Sequence, residues 1–406
     1  MYRIPDRSHP SSLLRRPHTT VFGKSKLEEP ENRLFKLGFA KKPISSSNNL
    51  RPPYLPGFDV DNGTFMHIPQ ERWTPNGPSP YRRVMRRNST LDAMLDTAEA
   101  NGLCLWSGTE VQRQILRRRV TIGELTAVGA QCYARTSYWQ ALSAEDRLRH
   151  LTRSLTLMHP KWVFGGSTAA TLLNICDSTR HMRKLHRVID GNRVPRSTGI
   201  IVNHYIEETA PIIIDGARVT PLDRTAFDCA RWLGFPDAIA IIDSILRQRL
   251  RTKSQLDRSF RLTNGKYRNR ALHVLNWATG RTDNGGESFS YGVILEERFM
   301  QPQLQVVMPC HNEYGNHDRV DFLWKTPDGR IIVAELDGRI KYRDASMYVN
   351  GSLPETIIAE KEREERIRME VDGFVRFSFA EAYRRTPLIR KLEWAGVPRT
   401  TDFRSP

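Results

Sequence analysis

Residues 319–338, RVDFLWKTPDGRIIVAELDG, hold two apolar runs joined by Thr326-Pro327-Asp328-Gly329, and each run carries one carboxylate among residues that belong in a core. Short runs of β-branched, aromatic and aliphatic residues bounded by turn residues predict strands. The two strands here are 319–324 and 330–338. A carboxylate within such a strand is costly to desolvate unless it is paired or binds a metal. Asp321 and Glu335 are therefore the leading site candidates. Asp337 lies two residues after Glu335 and shares its face of the strand.

Working outward, Asp283-Asn284-Gly285-Gly286 is a turn that opens a helix, ESFSYGVILEERF, and PQLQVVMPC after it reads as a strand. On the other side, PETIIAEKEREERIRMEVDG is a strongly charged helix and FVRFSF a strand. The order is helix, three strands, helix, strand. Glu287 falls at the N-terminal end of the first helix, where it either binds an ion with Asp321 and Glu335 or orients one of them.

The chain has 406 residues, with 62 Lys and Arg against 45 Asp and Glu, a formal charge of +17. Such a surface binds polyanions by releasing their counterions, so nucleic acid is the expected partner class. Residues 1–84 hold 12 of the 24 prolines and 14 Lys and Arg against 7 Asp and Glu, without hydrophobic periodicity. They are expected to form a disordered basic tail. Five scattered cysteines without a CxxC pair suit a reducing cytoplasm. No apolar run of about 18 residues predicts a membrane span.

From residue 85 the pattern becomes periodic. Leu91, Met94, Leu95 and Ala98 predict a helix that stops at Asn101-Gly102. A second helix, capped by Ser107 or Thr109, runs to about Arg119, with Val111, Ile115 and Leu116 inward and Arg113, Arg117 and Arg118 outward. A short helix and a strand pair are expected within 120–139. Helix, basic helix and strand wing is the order of a winged helix-turn-helix over 85–142, in which Arg113, Arg117, Arg118 and Arg119 are the candidate DNA-binding residues. Residues 143–280 read as a mixed α/β middle domain. Gly165-Gly166-Ser167 resembles a nucleotidyltransferase signature, but the paired carboxylates that chemistry needs are missing, so close helix packing is the better account. Asp223, Arg224, Asp228 and Asp243 read as caps and ion pairs.

The C-terminal order, over 281–395, resembles the common core of PD-(D/E)XK nucleases. Phosphodiester hydrolysis needs a metal that neutralises the phosphate and activates water, held by two or three hard oxygen ligands. Asp321, Glu335 and Glu287 supply such a set for Mg²⁺ or Mn²⁺. That superfamily places a lysine two residues after the second carboxylate, and Asp337 stands there instead. Lys341 or Lys361 is the alternative source of an ammonium, although Lys361 also suits an ion-paired face with Glu364 and Glu365.

GESFSYGVILEERFMQPQLQ, VDFLW, VAELDGRIKY and AEKEREERIRMEVDGFVRF together resemble bacterial proteins related to very-short-patch-repair endonucleases. GGSTAATLL and TPLDRTAFDCAR resemble the middle region of such proteins, which often begin with a part similar to the abortive-infection type IV antitoxin AbiEi. The resemblance covers about residues 88–385. It implies an α/β (α+β multidomain) chain with a restriction-endonuclease-like C-terminal domain, Glu287, Asp321, Glu335 and Asp337 at the family's acidic positions, and Lys341 and Lys361 at its basic ones. Two activities follow as expectations: a Mg²⁺-dependent DNA endonuclease, or a non-catalytic DNA-binding regulator with a cognate toxin as partner.

Overall fold

The turn chemistry read from the sequence becomes three sheets and thirteen helices among the described residues. The computed structural model describes residues 88–189, 195–207, 210–337, 353–401 and 403. All of them belong to one compact unit that runs from Pro80 to Pro406. The basic tail expected over 1–84 lies outside the described residues.

The first part is α1 (Ser89–Ala100), β1 (Leu105–Trp106), α2 (Glu110–Thr121), β2 (Leu125–Gly129), β3 (Cys132–Arg135) and α3 (Thr136–Ala141). Asn88 caps α1 by accepting from Leu91 N at 3.1 Å, and Gly102, at φ 62°, follows its end. Thr109 is the cap of α2, while Ser107 Oγ accepts from Thr109 N. Ala130 and Gln131, both left-handed, turn β2 into β3, and the strand order is β1-β3-β2. The short helix expected near 120–139 comes after the strands, as α3. Val111 is 70% exposed rather than inward, because the buried stripe of α2 runs through Leu116 and Arg119.

The middle part is α4 (Ala144–Met158), β4 (Val163–Phe164), α5 (Gly166–Leu172), a 3-10 turn over Thr179–Arg183, β5 (Leu185–Ile189), β6 (Ile201–Tyr205), β7 (Ile212–Ile214) and β8 (Ala217–Val219). Its sheet has the order β6-β5-β4-β8-β7, with β4 parallel to β8 and β5 parallel to β6. Leu148, Leu151 and Leu155 of α4 share a core with Phe164, Leu185 and Val219. A Cβ on Gly165 would lie 2.4 Å from Val188 Cγ1, which is the close packing that the Gly-Gly pair permits.

Four helices follow: α6 (Leu222–Trp232), α7 (Phe235–Arg247), α8 (Lys253–Leu262) and α9 (Arg268–Trp277). Gly234 separates the first two, as the hinge in the sequence suggested. The charged residues here are structural. Asp228 is fully buried between Arg224 (2.9 Å) and Arg231 (2.8 Å), Asp223 meets Arg251 at 2.8 Å, and Asp243 accepts from Thr279 N and Gly280 N.

The last part is α10 (Gly285–Glu296), β9 (Gln303–His311), β10 (His317–Lys325), β11 (Ile331–Asp337), α11 (Leu353–Met369), β12 (Gly373–Ser378), α12 (Phe379–Arg384) and α13 (Thr386–Trp394). The sheet order is β12-β11-β10-β9, antiparallel except for the parallel β11/β12 pair. The core of this sheet divides into two clusters, and alternation breaks in β10, where Val320 and Phe322, two residues apart, belong to different ones. Phe322, Trp324, Ile332, Ala334, Val375 and Phe377 join α10 and the α6–α9 helices, whereas Val320, Leu323, Val333 and Phe374 pack with Ile367 of α11. The division expected between residues 280 and 281 is therefore not a boundary between cores. Gly292 of α10 shows how close that junction is: a Cβ there would stand 2.6 Å from Pro236 Cα of α7. Gly292→Ala should lower stability by about 2 kcal/mol, the usual cost of overpacking backbone against backbone, and an unchanged urea midpoint would contradict that packing.

No helix among the described residues is long and apolar enough to cross a membrane.

Candidate metal centre

The first turn of α10 brings Glu287 inward. Asn284 caps the helix by accepting from Glu287 N at 3.0 Å. The Glu287 carboxylate reaches back in the manner of a capping box, accepting from Asn284 Nδ2 (2.5 Å) and Asp283 N (2.7 Å). It is 6% exposed.

The β-sheet register supplies the other carboxylates. Phe322 pairs with Ala334, and Asp321 and Glu335, one residue beyond on each strand, lie near enough for the charge of Glu335 to act on Asp321. Asp321 Oδ2 accepts from Leu336 N at 2.9 Å. On the other side, Val320 pairs with Val306 and Phe322 with Leu304, which leaves Gln305 across from Asp321. Gln305 has a left-handed φ of 54°, and its Nε2 donates to both Glu287 Oε2 (2.8 Å) and Asp321 Oδ1 (3.0 Å).

Glu335, 5% exposed, is held differently. Arg363 of α11 grips it by a two-pronged guanidinium–carboxylate pair, Nη2–Oε1 2.6 Å and Nη1–Oε2 3.1 Å, and Arg376 of β12 adds Nη2–Oε2 at 3.4 Å. The electrostatics divide accordingly. Burial, then the charge of Asp321, pushes the Glu287 carboxyl up to about 7. Burial, with Glu335 adding to it, also raises Asp321, against the opposing hydrogen bond from Leu336 N.

Among the described residues no group of three His, Cys, Asp or Glu side chains converges on a single ion position. Glu287 and Asp321 nevertheless fit a hard divalent cation: a buried and a half-buried carboxylate joined through one neutral amide hold negative charge that such an ion would neutralise. Glu335 borders that pair with its own charge already met by two guanidiniums.

Other sequence candidates take different places. Asp337 ends β11, half-buried, opposite Ser378 of β12. Lys341 lies outside the described residues. Lys361 is exposed on α11, and Arg363, two residues on, is the cation of that helix that reaches Glu335. Gln305 and Arg363 were not among the sequence candidates. An amide inside an apolar strand, QLQVV, and an arginine one turn before the buried Ile367 were the available signals.

On α2, Arg117 and Arg118 are exposed and Arg113 is half-buried; Arg113 lies 3.0 Å and Arg117 3.7 Å from Glu110. Arg119 departs from the DNA-binding set. It is 6% exposed and tied to Asp92 (2.6 Å) and Glu124, so it joins α1, α2 and the segment before β2 instead of facing outward.

No family model matches the chain. Two proteins described as uncharacterized, from Mycobacterium tuberculosis strains CDC 1551 / Oshkosh and ATCC 25618 / H37Rv, are each 28% identical to it over 165 residues, 40% of this chain and 58% of the relative. The chain thus spans less than two thirds of the length of these curated relatives.

Proposed function

We propose that the protein is a metal-dependent DNA endonuclease of PD-(D/E)XK type, with the part from α1 to β3 acting as a winged-helix DNA-binding element. The observation that carries this reading is the pair of buried Glu287 and half-buried Asp321, both raised in pKa and bridged by the Gln305 amide, with Glu335 on the next strand. The helix, three antiparallel strands, helix and parallel strand around them support it, as does the +17 charge.

Glu287 and Asp321 would hold Mg²⁺ or Mn²⁺, which when bound supplies charge neutralisation at a phosphate and an acidified water. The chain's own residues then have separable tasks. The Leu336 N–H fixes one oxygen of Asp321, and the turn before α10 fixes Glu287. Arg363 and Arg376 hold the Glu335 carboxylate in one orientation. An arginine remains charged at any working pH, so Arg363 contributes electrostatics and not proton transfer.

A second reading follows from Arg363 itself. With Glu335 already neutralised, the protein is a DNA-binding regulator of antitoxin type that does not cut. One experiment separates the two. Purified protein is mixed with plasmid and with mismatched duplex, with and without Mg²⁺ or Mn²⁺, over a salt series. Metal-dependent cleavage is the expected result; binding that weakens steeply with salt, without cleavage, is what the regulator predicts.

A further inference from the structure

One amide nitrogen of Gln305 serves two carboxylates. Its two N–H donors are the whole donor capacity of a primary amide, and both go to acidic oxygens, at 2.8 Å and 3.0 Å. The residue reaches this position from a left-handed backbone within β9, where a side chain with a Cβ costs about 1–2 kcal/mol relative to extended strand. Gln305 lies across from Asp321 in the register, and its amide meets Glu287 from α10, so three separate elements converge at this one group.

A neutral amide satisfies lone pairs but leaves the net charge of the two carboxylates in place. A divalent cation removes that charge. The two ends of an amide are nearly equal in shape, and its terminal torsion is broad and two-fold. Half a turn therefore exchanges Nε2 for Oε1 with no change of backbone, and a carbonyl oxygen is a donor that hard divalent ions accept.

We infer that Gln305 is a metal ligand of this centre, and that in the metal-free protein its amide keeps the cation's place between Glu287 and Asp321. The inference rests on the metal-dependent reading above. It accounts for a centre in which no third carboxylate converges, since Glu335 is engaged by Arg363 and Arg376. The third oxygen comes from a neutral side chain on the neighbouring strand.

The test is Mn²⁺ binding to the full chain at pH 8, followed by the electron paramagnetic resonance of free Mn²⁺, with thermal melts of the EDTA-treated protein alongside. Gln305→Ala should weaken Mn²⁺ binding by about tenfold, the scale of losing one neutral member of such a site. Gln305→Glu should tighten it by about tenfold, because ligand charge sets affinity in oxygen sites. The same Glu variant should melt several degrees lower without metal, as a third carboxylate enters the cluster, and recover when Mn²⁺ is added. If both variants bind Mn²⁺ like the wild type, Gln305 only spaces the carboxylates: the inference falls and the metal centre stands. Absence of Mn²⁺ uptake by the wild type overturns the metal reading and this inference together.

Discussion

Asp321→Asn should leave the protein folded and reduce metal-dependent DNA cleavage by about 10³-fold or more, the several kcal/mol that a lost metal site removes from charge stabilisation. The fold survives because the Asn oxygen can still accept from Leu336 N. The substitution also deletes a partly desolvated charge beside Glu287 from the metal-free protein, so its melting temperature should not fall. Cleavage within a few-fold of wild type would rule Asp321 out as a ligand.

Glu287 adds the pH dependence. Burial and the neighbouring Asp321 push its carboxyl up to about 7 in the folded protein, from an ordinary value of 4.5. Between those values the folded state binds the proton that the unfolded state has lost. Stability of the metal-free protein should therefore decline as pH rises from about 4.5 to about 7, and Glu287 should add no further slope beyond; the total is at most about 3 kcal/mol. Metal binding runs the opposite way, weakening by up to about tenfold per pH unit below 7 because the ligand must be ionised. Glu287→Gln should remove this contribution from both profiles. A variant with wild-type pH profiles would show that Glu287 is not the titrating group.

Arg363→Ala should destabilise the protein by about 3 kcal/mol, because it strips a buried carboxylate of its main partner. Glu335 is 5% exposed and engaged by both prongs of Arg363, and the remaining Arg376, at 3.4 Å, is itself shared with Glu360 (2.8 Å) and Glu364 (3.1 Å). The penalty belongs to the orphaned charge and not to the pair as such. Arg363→Met combined with Glu335→Leu should consequently regain most of the loss. A urea denaturation series on the two singles and the double measures the coupling, and a single-variant cost near zero would mean that solvent already screens Glu335.

The strands around the candidate site were legible because their signals are local. Alternation and the Thr326–Gly329 turn marked β10 and β11, and a carboxylate in an apolar run marked Asp321 and Glu335 whatever their neighbours. Gly234 and Asn101-Gly102 announced helix ends by backbone preference, and Thr109 by the side-chain oxygen that accepts from Gln112 N. Arg119 entered the DNA-binding set by its charge, although it stands three residues after Leu116 on the inward face of α2; Asp92 and Glu124 supply the partners that make it a buried cross-link. For Lys361 the sequence left a site role and a solvated face both open: two residues, more than half a helical turn, separate it from Arg363, and the packing of α11 through Ile367 decides which cation faces the sheet.

By itself, then, the sequence determined the α/β class, most of the element order of the C-terminal part and the acidic residues of its central strands, because each depends on spacing within a few residues. The tertiary structure alone decided that Gln305 lies between Glu287 and Asp321, that Arg363 takes Glu335, and that α6–α9 share a core with the last sheet. Those are contacts between distant segments, set by strand register and helix rotation, and a shift of one residue in either would replace every partner at the centre.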